Sequence, residues 1–136
     1  AAMYRELFEQ FDLLGDIDPP VEAAGGRHIY NQFTVRVKDG RRDEIKKSLT
    51  DQQIGCAIYY PKPLHIQECF KGLGYSTGDM PESERASAEV LSLPIFAELT
   101  ESQIERVVGG LAEAFGHSVP RARNIVPFKM PETRAA

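Results

Sequence analysis

The chain has 136 residues, the length of one domain, and is shorter than most two-domain cofactor enzymes. Its composition is 42% hydrophobic and 26% charged, with 16 Lys and Arg against 20 Asp and Glu, which indicates a mildly acidic globular protein rather than a binder of nucleic acid. No run reaches the roughly 20 apolar residues of a membrane span, and the first residues lack a signal-peptide pattern, so we expect a cytoplasmic protein with neither a membrane nor a nucleic-acid partner.

The first predicted elements are a helix and a loop. Apolar residues recur at helical spacing from Met3 to Leu14, and Gly15 would end this helix. No capping residue precedes it, so we expect the chain to begin inside a helix of a longer protein. Residues 16–27 contain turn formers without a period and predict a loop.

A strand and a second helix follow the loop. Apolar and polar side chains alternate over 30–38, which predicts a strand with one face buried. Ile45 and Leu49 are four residues apart with charged residues around them, and they predict a helix over 41–55. Gly55 stands where a helix C-cap is expected.

The middle of the chain predicts short elements. Residues 56–60 read as a second strand, and residues 65–75 as a short helix stopped by glycines. A further helix is predicted over 81–91, with a proline in its first turn. The run 91–96 then predicts a short strand that Pro94 confines or ends.

The last helix has the clearest sequence signals. Thr100 as N-cap and Gln103 three residues later predict a capping box, and Gly116 would close the helix. Gly109 and Gly110 lie inside it at a cost of about 1 kcal/mol each relative to alanine, which indicates the close approach of another element. Taken together, the order of elements predicts an α+β fold with a small, largely antiparallel sheet and helices packed on it.

The residues that could carry catalysis or bind a metal do not form a complete set. Cys56, His65 and Cys69 supply only three candidate zinc ligands, at a spacing that matches no finger or ribbon pattern. Glu84 and the other acidic residues of the predicted helices are expected on solvated faces. A Schiff-base lysine would need burial or a neighbouring positive charge. We expect none of these lysines to be buried: Lys38, Lys46, Lys47, Lys62, Lys71 and Lys129.

The segment IYYPKPLHIQ, residues 58–67, is the best remaining candidate for a site. If it continues a strand, Tyr59 and Tyr60 point to opposite faces of the sheet, so that one ring packs inward and the other offers its hydroxyl to a ligand. The two prolines that follow fix an extended path and place His65 at the strand's exit. The spacing fits an active-site segment and a stiff connector equally well.

A resemblance extends over several motifs in order. The run from GCAIYYPKPLH through VLSLPIFAELTESQ to Val108, with AAMYRELF at the start and HIYNQFTVRV at 28–37, resembles the C-terminal segment of the DegT/DnrJ/StrS family of pyridoxal-phosphate sugar aminotransferases. The resemblance covers roughly residues 1–117, which it identifies as the family's small C-terminal domain. Residues 118–136 match nothing in the family and, having no period, predict an extended or disordered tail.

This resemblance implies a function that the chain would perform only as part of a longer protein. In the family, a large N-terminal domain holds pyridoxal phosphate, its Schiff-base lysine and the partner of the pyridine nitrogen. The enzymes transfer an amino group, usually from glutamate, to the keto group of a nucleotide-linked sugar, and they act as homodimers with active sites at the subunit interface. We therefore expect this chain alone to be inactive, without a catalytic residue and without bound cofactor.

The resemblance also implies which residues meet the substrate. The family places a His-Tyr-Pro or Tyr-Tyr-Pro segment near the nucleotide sugar, and Tyr59, Tyr60 and Pro61 match it. Tyr59 would replace a cationic phosphate contact by a neutral hydroxyl donor. His65 matches the histidine after Pro-Leu and completes the predicted substrate-binding set. Two alternatives stay open: a parent that dehydrates or deoxygenates sugars, and a non-catalytic binding or assembly module that retains the fold.

Overall fold

A three-stranded antiparallel sheet is the framework of residues 1–118, the part of the chain that this computed structural model describes. The strands lie in chain order, and their bounds are β1 (Ile17–Asp18), β2 (Phe33–Val37) and β3 (Val90–Leu93). The predicted α+β class with a small antiparallel sheet is confirmed. Among these residues, no helix has the length and apolar character needed to cross a bilayer.

Helices pack around this sheet. The α-helices are α1 (Ala2–Gln10), α2 (Arg42–Asp51), α3 (Pro81–Glu89) and α4 (Glu101–Phe115). The predicted helix over 65–75 is instead a pair of 3₁₀ helices, Leu64–Ile66 and Glu68–Leu73. The helix α4 packs against both α1 and α2.

The core forms where β2 meets α1. Phe33, Val35 and Val37 alternate along β2 and are fully buried, as the period of the strand predicts. The ring of Tyr4 on α1 stacks on Phe33 with 4.6 Å between centroids, and Phe8 packs beside them. This aromatic cluster joins the first helix to the central strand.

Two strand predictions are corrected by the sheet. The loop predicted over 16–27 contains β1, whose Ile17 is buried opposite Val37 of β2. A strand of two residues has no period that a sequence can display. The strand predicted over 56–60 is wrong, because only Ala57 pairs, in an isolated bridge to Ser92. Continuing that antiparallel register would place Tyr59 opposite Val90, the first residue of β3, but the described residues form no second pair there.

Helix ends also differ from the predictions at two places. The first helix ends at Gln10 rather than near Leu14, and Asp12 takes a positive φ of 56°. The second ends at Asp51 rather than Gly55, and Gln53 takes a positive φ of 60°. A left-handed residue cannot continue a right-handed helix, so the chain turns before each predicted glycine cap.

The signals of the last helix are confirmed. The Thr100 hydroxyl accepts from the backbone N–H of Gln103 at 3.3 Å, and the Gln103 side chain accepts from the backbone N–H of Thr100 at 2.9 Å. Gly116 closes α4 in the left-handed conformation, with φ of 85°. Beyond it, the tail predicted over 118–136 lies outside the described residues apart from Ser118.

The close approach predicted at the glycine pair is confirmed at Gly110. A Cβ atom there would lie 2.4 Å from Ile54 Cδ1 and 2.7 Å from Gln52 Oε1. The side chain of Gln52 donates a hydrogen bond to the Gly110 carbonyl at 3.3 Å. Because Gly110 has no side chain, the end of α2 and the segment after it can pack directly on the backbone of α4.

The variant Gly110→Ala should lower the free energy of unfolding by up to about 2 kcal/mol. Overpacking against Ile54 costs about 1 to 3 kcal/mol, and the better helix propensity of alanine offsets about 1. Chemical denaturation followed by circular dichroism measures the difference. Gly72→Ala is the control, since no atom lies within 4 Å of its added Cβ. Equal stability of the two variants would contradict the packing argument.

Candidate functional site

A mostly exposed segment, in which Ile58 is half-buried and Pro63 is buried, connects the bridge at Ala57 to the first 3₁₀ helix. We call residues 58–64 the tyrosine strap. Ala57 exchanges two backbone hydrogen bonds with Ser92 of β3, at 3.0 and 2.8 Å, and this bridge fixes one end of the strap. His65 follows its other end. The strap is therefore a short surface connection between two attached residues.

The two tyrosines of the strap both face outward. Tyr59 is 51% exposed and Tyr60 is 63% exposed, and their rings meet edge to face at 6.4 Å. The expectation that one ring packs into the core is wrong, because the segment is not a strand of the sheet and does not alternate between its faces. Both hydroxyls are thus available to a ligand or a partner.

A groove with a volume of about 430 Å³ opens beside Tyr59. Asn31 and Gln32, just before β2, supply carboxamide groups on its wall, and residues 92–96 supply a mainly apolar wall that ends at Phe96. Ligand pockets commonly have volumes of about 300 to 1,000 Å³ and combine apolar walls with a few polar groups. This groove has both features. Sequence reasoning missed Asn31 and Gln32, since two polar residues in a loop carry no distinctive spacing.

A second groove, of about 220 Å³, lies between the strap and α3. Tyr59, Tyr60 and Lys62 line it from the strap, and Ser83 and Ser87 line it from the helix. Tyr59 borders both grooves, so the tyrosine pair occupies the ridge between them. The site that the geometry offers is this ridge with its two flanking grooves.

His65 does not share the exposure of the tyrosines. Its side chain is only 3% exposed, and its Nε2 atom lies 3.0 Å from Oε1 of Glu84 on α3. The prediction that Tyr59, Tyr60 and His65 bind substrate stays a prediction. The structure places the tyrosines on the surface and His65 beneath the end of the strap.

Glu84 was expected on a solvated helix face, but its side chain is only 20% exposed. It accepts hydrogen bonds from the backbone N–H groups of Gly78 and Met80 in addition to its contact with His65. The Gly78 N–H and the His65 ring hold the pKa of the Glu84 carboxyl below its usual range. No sequence signal identifies this residue, because the pairing joins positions that are nineteen apart.

The imagined zinc ligands do not form a site. Cys56 is half-buried, and burial raises the pKa of its thiol, whereas Cys69 is exposed. Within residues 1–118, no group of three or more His, Cys, Asp or Glu side chains is arranged to hold a metal ion.

The lysines of residues 1–118 do not fit a Schiff-base role. Lys38 pairs with Asp18, Lys47 with Asp51 and Lys71 with Glu68. Lys46 is partly exposed and Lys62 is exposed on the strap. A Schiff-base lysine is activated by desolvation or by a neighbouring cation, and an ammonium in water or paired with a carboxylate has neither. Lys129 lies outside the described residues.

Sequence comparison relates this chain to a family of known proteins. The sequence profile of the DegT/DnrJ/EryC1/StrS aminotransferase family matches residues 1–112. A pleiotropic regulatory protein of Geobacillus stearothermophilus is 43% identical over 118 residues, which are 86% of this chain and 31% of that protein. The UDP-N-acetyl-3-dehydro-alpha-D-glucosamine 3-aminotransferase of Acidithiobacillus ferrooxidans is 39% identical over 92 residues, 68% of this chain and 24% of the enzyme.

Solved structures also include proteins whose fold is similar to that of this chain. S. venezuelae DesV, crystallised in complex with a ketimine intermediate, superposes with a TM-score of 0.73 at 32% identity, over 82% of this chain and 30% of DesV. A DegT DnrJ EryC1 StrS aminotransferase from Brucella abortus superposes with a TM-score of 0.67 at 31% identity, over 84% of this chain and 29% of that structure. The chain spans less than a third of the length of these relatives. With the profile matching residues 1–112, it belongs to the DegT/DnrJ/EryC1/StrS aminotransferase family.

Proposed function

We propose that this chain is the substrate-lining C-terminal part of a pyridoxal-phosphate-dependent enzyme that transfers an amino group from glutamate to a nucleotide-linked ketosugar. The observation that carries the proposal is the family match over residues 1–112. It is supported by the identity to a relative whose name specifies amino transfer to a UDP-linked sugar. The proposal includes the cytoplasmic location and the homodimer expected from the sequence and its resemblance.

In this proposal, the tyrosine ridge and its larger groove hold the nucleotide sugar. The hydroxyls of Tyr59 and Tyr60 can donate hydrogen bonds to phosphate or sugar oxygens, and their rings offer apolar faces to a base or a pyranose. Asn31 and Gln32 can pair with polar edges across the groove, because a carboxamide both donates and accepts. His65, buried below the strap, contributes to substrate binding through the segment that it holds.

Pyridoxal phosphate belongs, in this proposal, to the part of the full-length protein that lies outside this chain. When bound, it supplies the carbonyl group that carries the amino group between the two substrates. The described lysines are exposed, partly exposed or paired with carboxylates, so the chain's own contribution is to bind and orient the sugar. We accordingly propose that the chain by itself is catalytically inactive.

The isolated chain should form no stoichiometric aldimine with pyridoxal phosphate on any single lysine. After incubation with the cofactor and reduction with borohydride, peptide mass spectrometry should find only trace modification spread over several lysines. The full-length protein treated in parallel should carry one stoichiometric pyridoxyl-lysine. A stoichiometric adduct at one lysine of the isolated chain would overturn this division of roles.

A second function is favoured by one specific observation. The relative with 43% identity is named a pleiotropic regulatory protein, not a transaminase. A non-catalytic binding or assembly module with this fold would use the same exposed tyrosine ridge to contact a partner. The coding sequence upstream of Ala1 separates the two functions: a Schiff-base lysine segment there favours the enzyme, and translation initiated at Met3 favours the module.

A further inference from the structure

One carboxylate oxygen on α3 collects three hydrogen bonds from the segment that follows the tyrosine strap. Glu84 Oε1 accepts from Gly78 N–H at 2.8 Å and from Met80 N–H at 3.4 Å, and it lies 3.0 Å from Nε2 of His65. An ionised carboxylate only accepts hydrogen bonds, so His65 carries a proton on Nε2. The segment between His65 and Met80 is thereby attached to α3 at both of its ends.

The ring of His65 is buried at this attachment. Its Nδ1 atom is buried without a hydrogen-bond partner, and the ring meets Tyr75 edge to face at 6.4 Å. In the neutral ring with its proton on Nε2, Nδ1 is an unpaired acceptor. The contact with Glu84 is therefore the one polar interaction that orients this imidazole among the described residues.

The two attachments of the strap lie on one continuous unit of structure. The bridge from Ala57 reaches Ser92 on β3, and the contact from His65 reaches Glu84 on α3. The helix α3 ends at Glu89 and β3 begins at the next residue, so no loop separates the two attachment points. The span of the strap is thus set by a helix and a strand, the most rigid supports that a site can have.

We propose that Glu84 and His65 are positioning residues that fix the exit of the tyrosine strap on α3 and so hold Tyr59 and Tyr60 as a preformed substrate-binding edge. The inference rests on the proposed function, because it assumes that the tyrosines face the nucleotide sugar. Pre-ordering the strap removes the entropy cost of ordering two side chains when the ligand binds. Loss of the contact should weaken substrate binding and leave the chemical step intact.

A simpler role for Glu84 is that of an acidic residue near the N-terminus of α3, where negative charge stabilises a helix. Glu82 provides the matched control, because it lies in the same turn and pairs only with the neighbouring Arg85 at the surface. Helix stabilisation by charge is lost equally in Glu82→Ala and Glu84→Ala. Positioning of the strap is lost only in Glu84→Ala.

Heteronuclear NMR of the 136-residue chain tests the attachment itself. In Glu84→Ala, amide exchange at Gly78 should become at least about tenfold faster, and the resonances of Tyr59 and Tyr60 should shift. Glu84→Gln should preserve both, because an amide oxygen still accepts from Gly78 and the amide group can still pair with Nε2. Unchanged tyrosine resonances in Glu84→Ala, or changes of equal size in Glu82→Ala, would overturn the proposal.

Steady-state kinetics of the full-length protein test the consequence. In Glu84→Ala, KM for the nucleotide sugar should rise about tenfold, the effect of ordering two side chains on binding, with kcat within about twofold of the wild type. Glu84→Gln should stay within about threefold in KM. A fall in kcat at unchanged KM would overturn the positioning role. If the wild-type protein transfers no amino group, the proposed function fails, and the tyrosine resonances in NMR still decide for or against the attachment.

Discussion

Replacing Phe33 with alanine should lower the free energy of unfolding by about 3 to 5 kcal/mol, the cost of deleting a buried aromatic ring. Phe33 is 0% exposed on the central strand, and its ring stacks on Tyr4 with 4.6 Å between centroids. The vacated space would be bordered by Phe8 and Tyr30, which are held by their own packing and cannot close it fully. Urea denaturation followed by circular dichroism gives the value.

Phe96→Ala is the matched control, since it deletes the same ring at a position that is 45% exposed. Its effect on stability should stay within about 1 kcal/mol. Small domains are stable by only about 5 to 15 kcal/mol, so Phe33→Ala should lose a large fraction of the total stability. Similar losses in the two variants would show that the cluster of Tyr4, Phe8 and Phe33 is not the centre of the core.

Helices and strands whose own residues show a clear periodic pattern or end signal could be predicted from the sequence. The strand β2 shows alternation over its whole length, and α4 shows both a capping box and a closing glycine, so their identity and position follow from local physics. The strand β1 and the bridge at Ala57 exist only through pairing with distant residues. Their sequences contain no comparable signal, because the partner rather than the local pattern determines the structure.

Some features of the candidate site could also be predicted from the sequence, and others could not. Tyr59 and Tyr60 could be selected from the sequence, since two aromatic residues before two prolines form an unusual run and match a family motif. Their shared outward orientation could not, because it depends on where the bridge to Ser92 stops. Glu84 gave no signal at all. Its importance arises from three hydrogen bonds made by groups that only the folded chain brings together.

In the full-length protein, the double variant Tyr59→Ala/Tyr60→Ala should lower kcat/KM for the nucleotide sugar about 100-fold. The hydroxyl donor and the ring face of one tyrosine together contribute about 1 to 1.5 kcal/mol of binding, and the double variant removes this contribution twice. Most of the loss should appear as a higher KM, because in the proposed function both side chains bind the sugar nucleotide rather than the reacting atoms. Stability should change little, since the rings are 51% and 63% exposed.

Phenylalanine variants separate the two contributions of these residues. Tyr59→Phe/Tyr60→Phe keeps the ring faces and removes the hydroxyls. Its affinity should lie between those of the wild type and the double alanine variant, and its loss relative to the wild type measures the contribution of the hydroxyl hydrogen bonds. Tyr75→Phe removes the hydroxyl of another exposed tyrosine that borders neither groove of the ridge, and it should leave KM unchanged. A double alanine variant with wild-type KM would remove the tyrosine ridge from the substrate site. That result would favour the non-catalytic module described above, which would use the same exposed ridge to contact a partner.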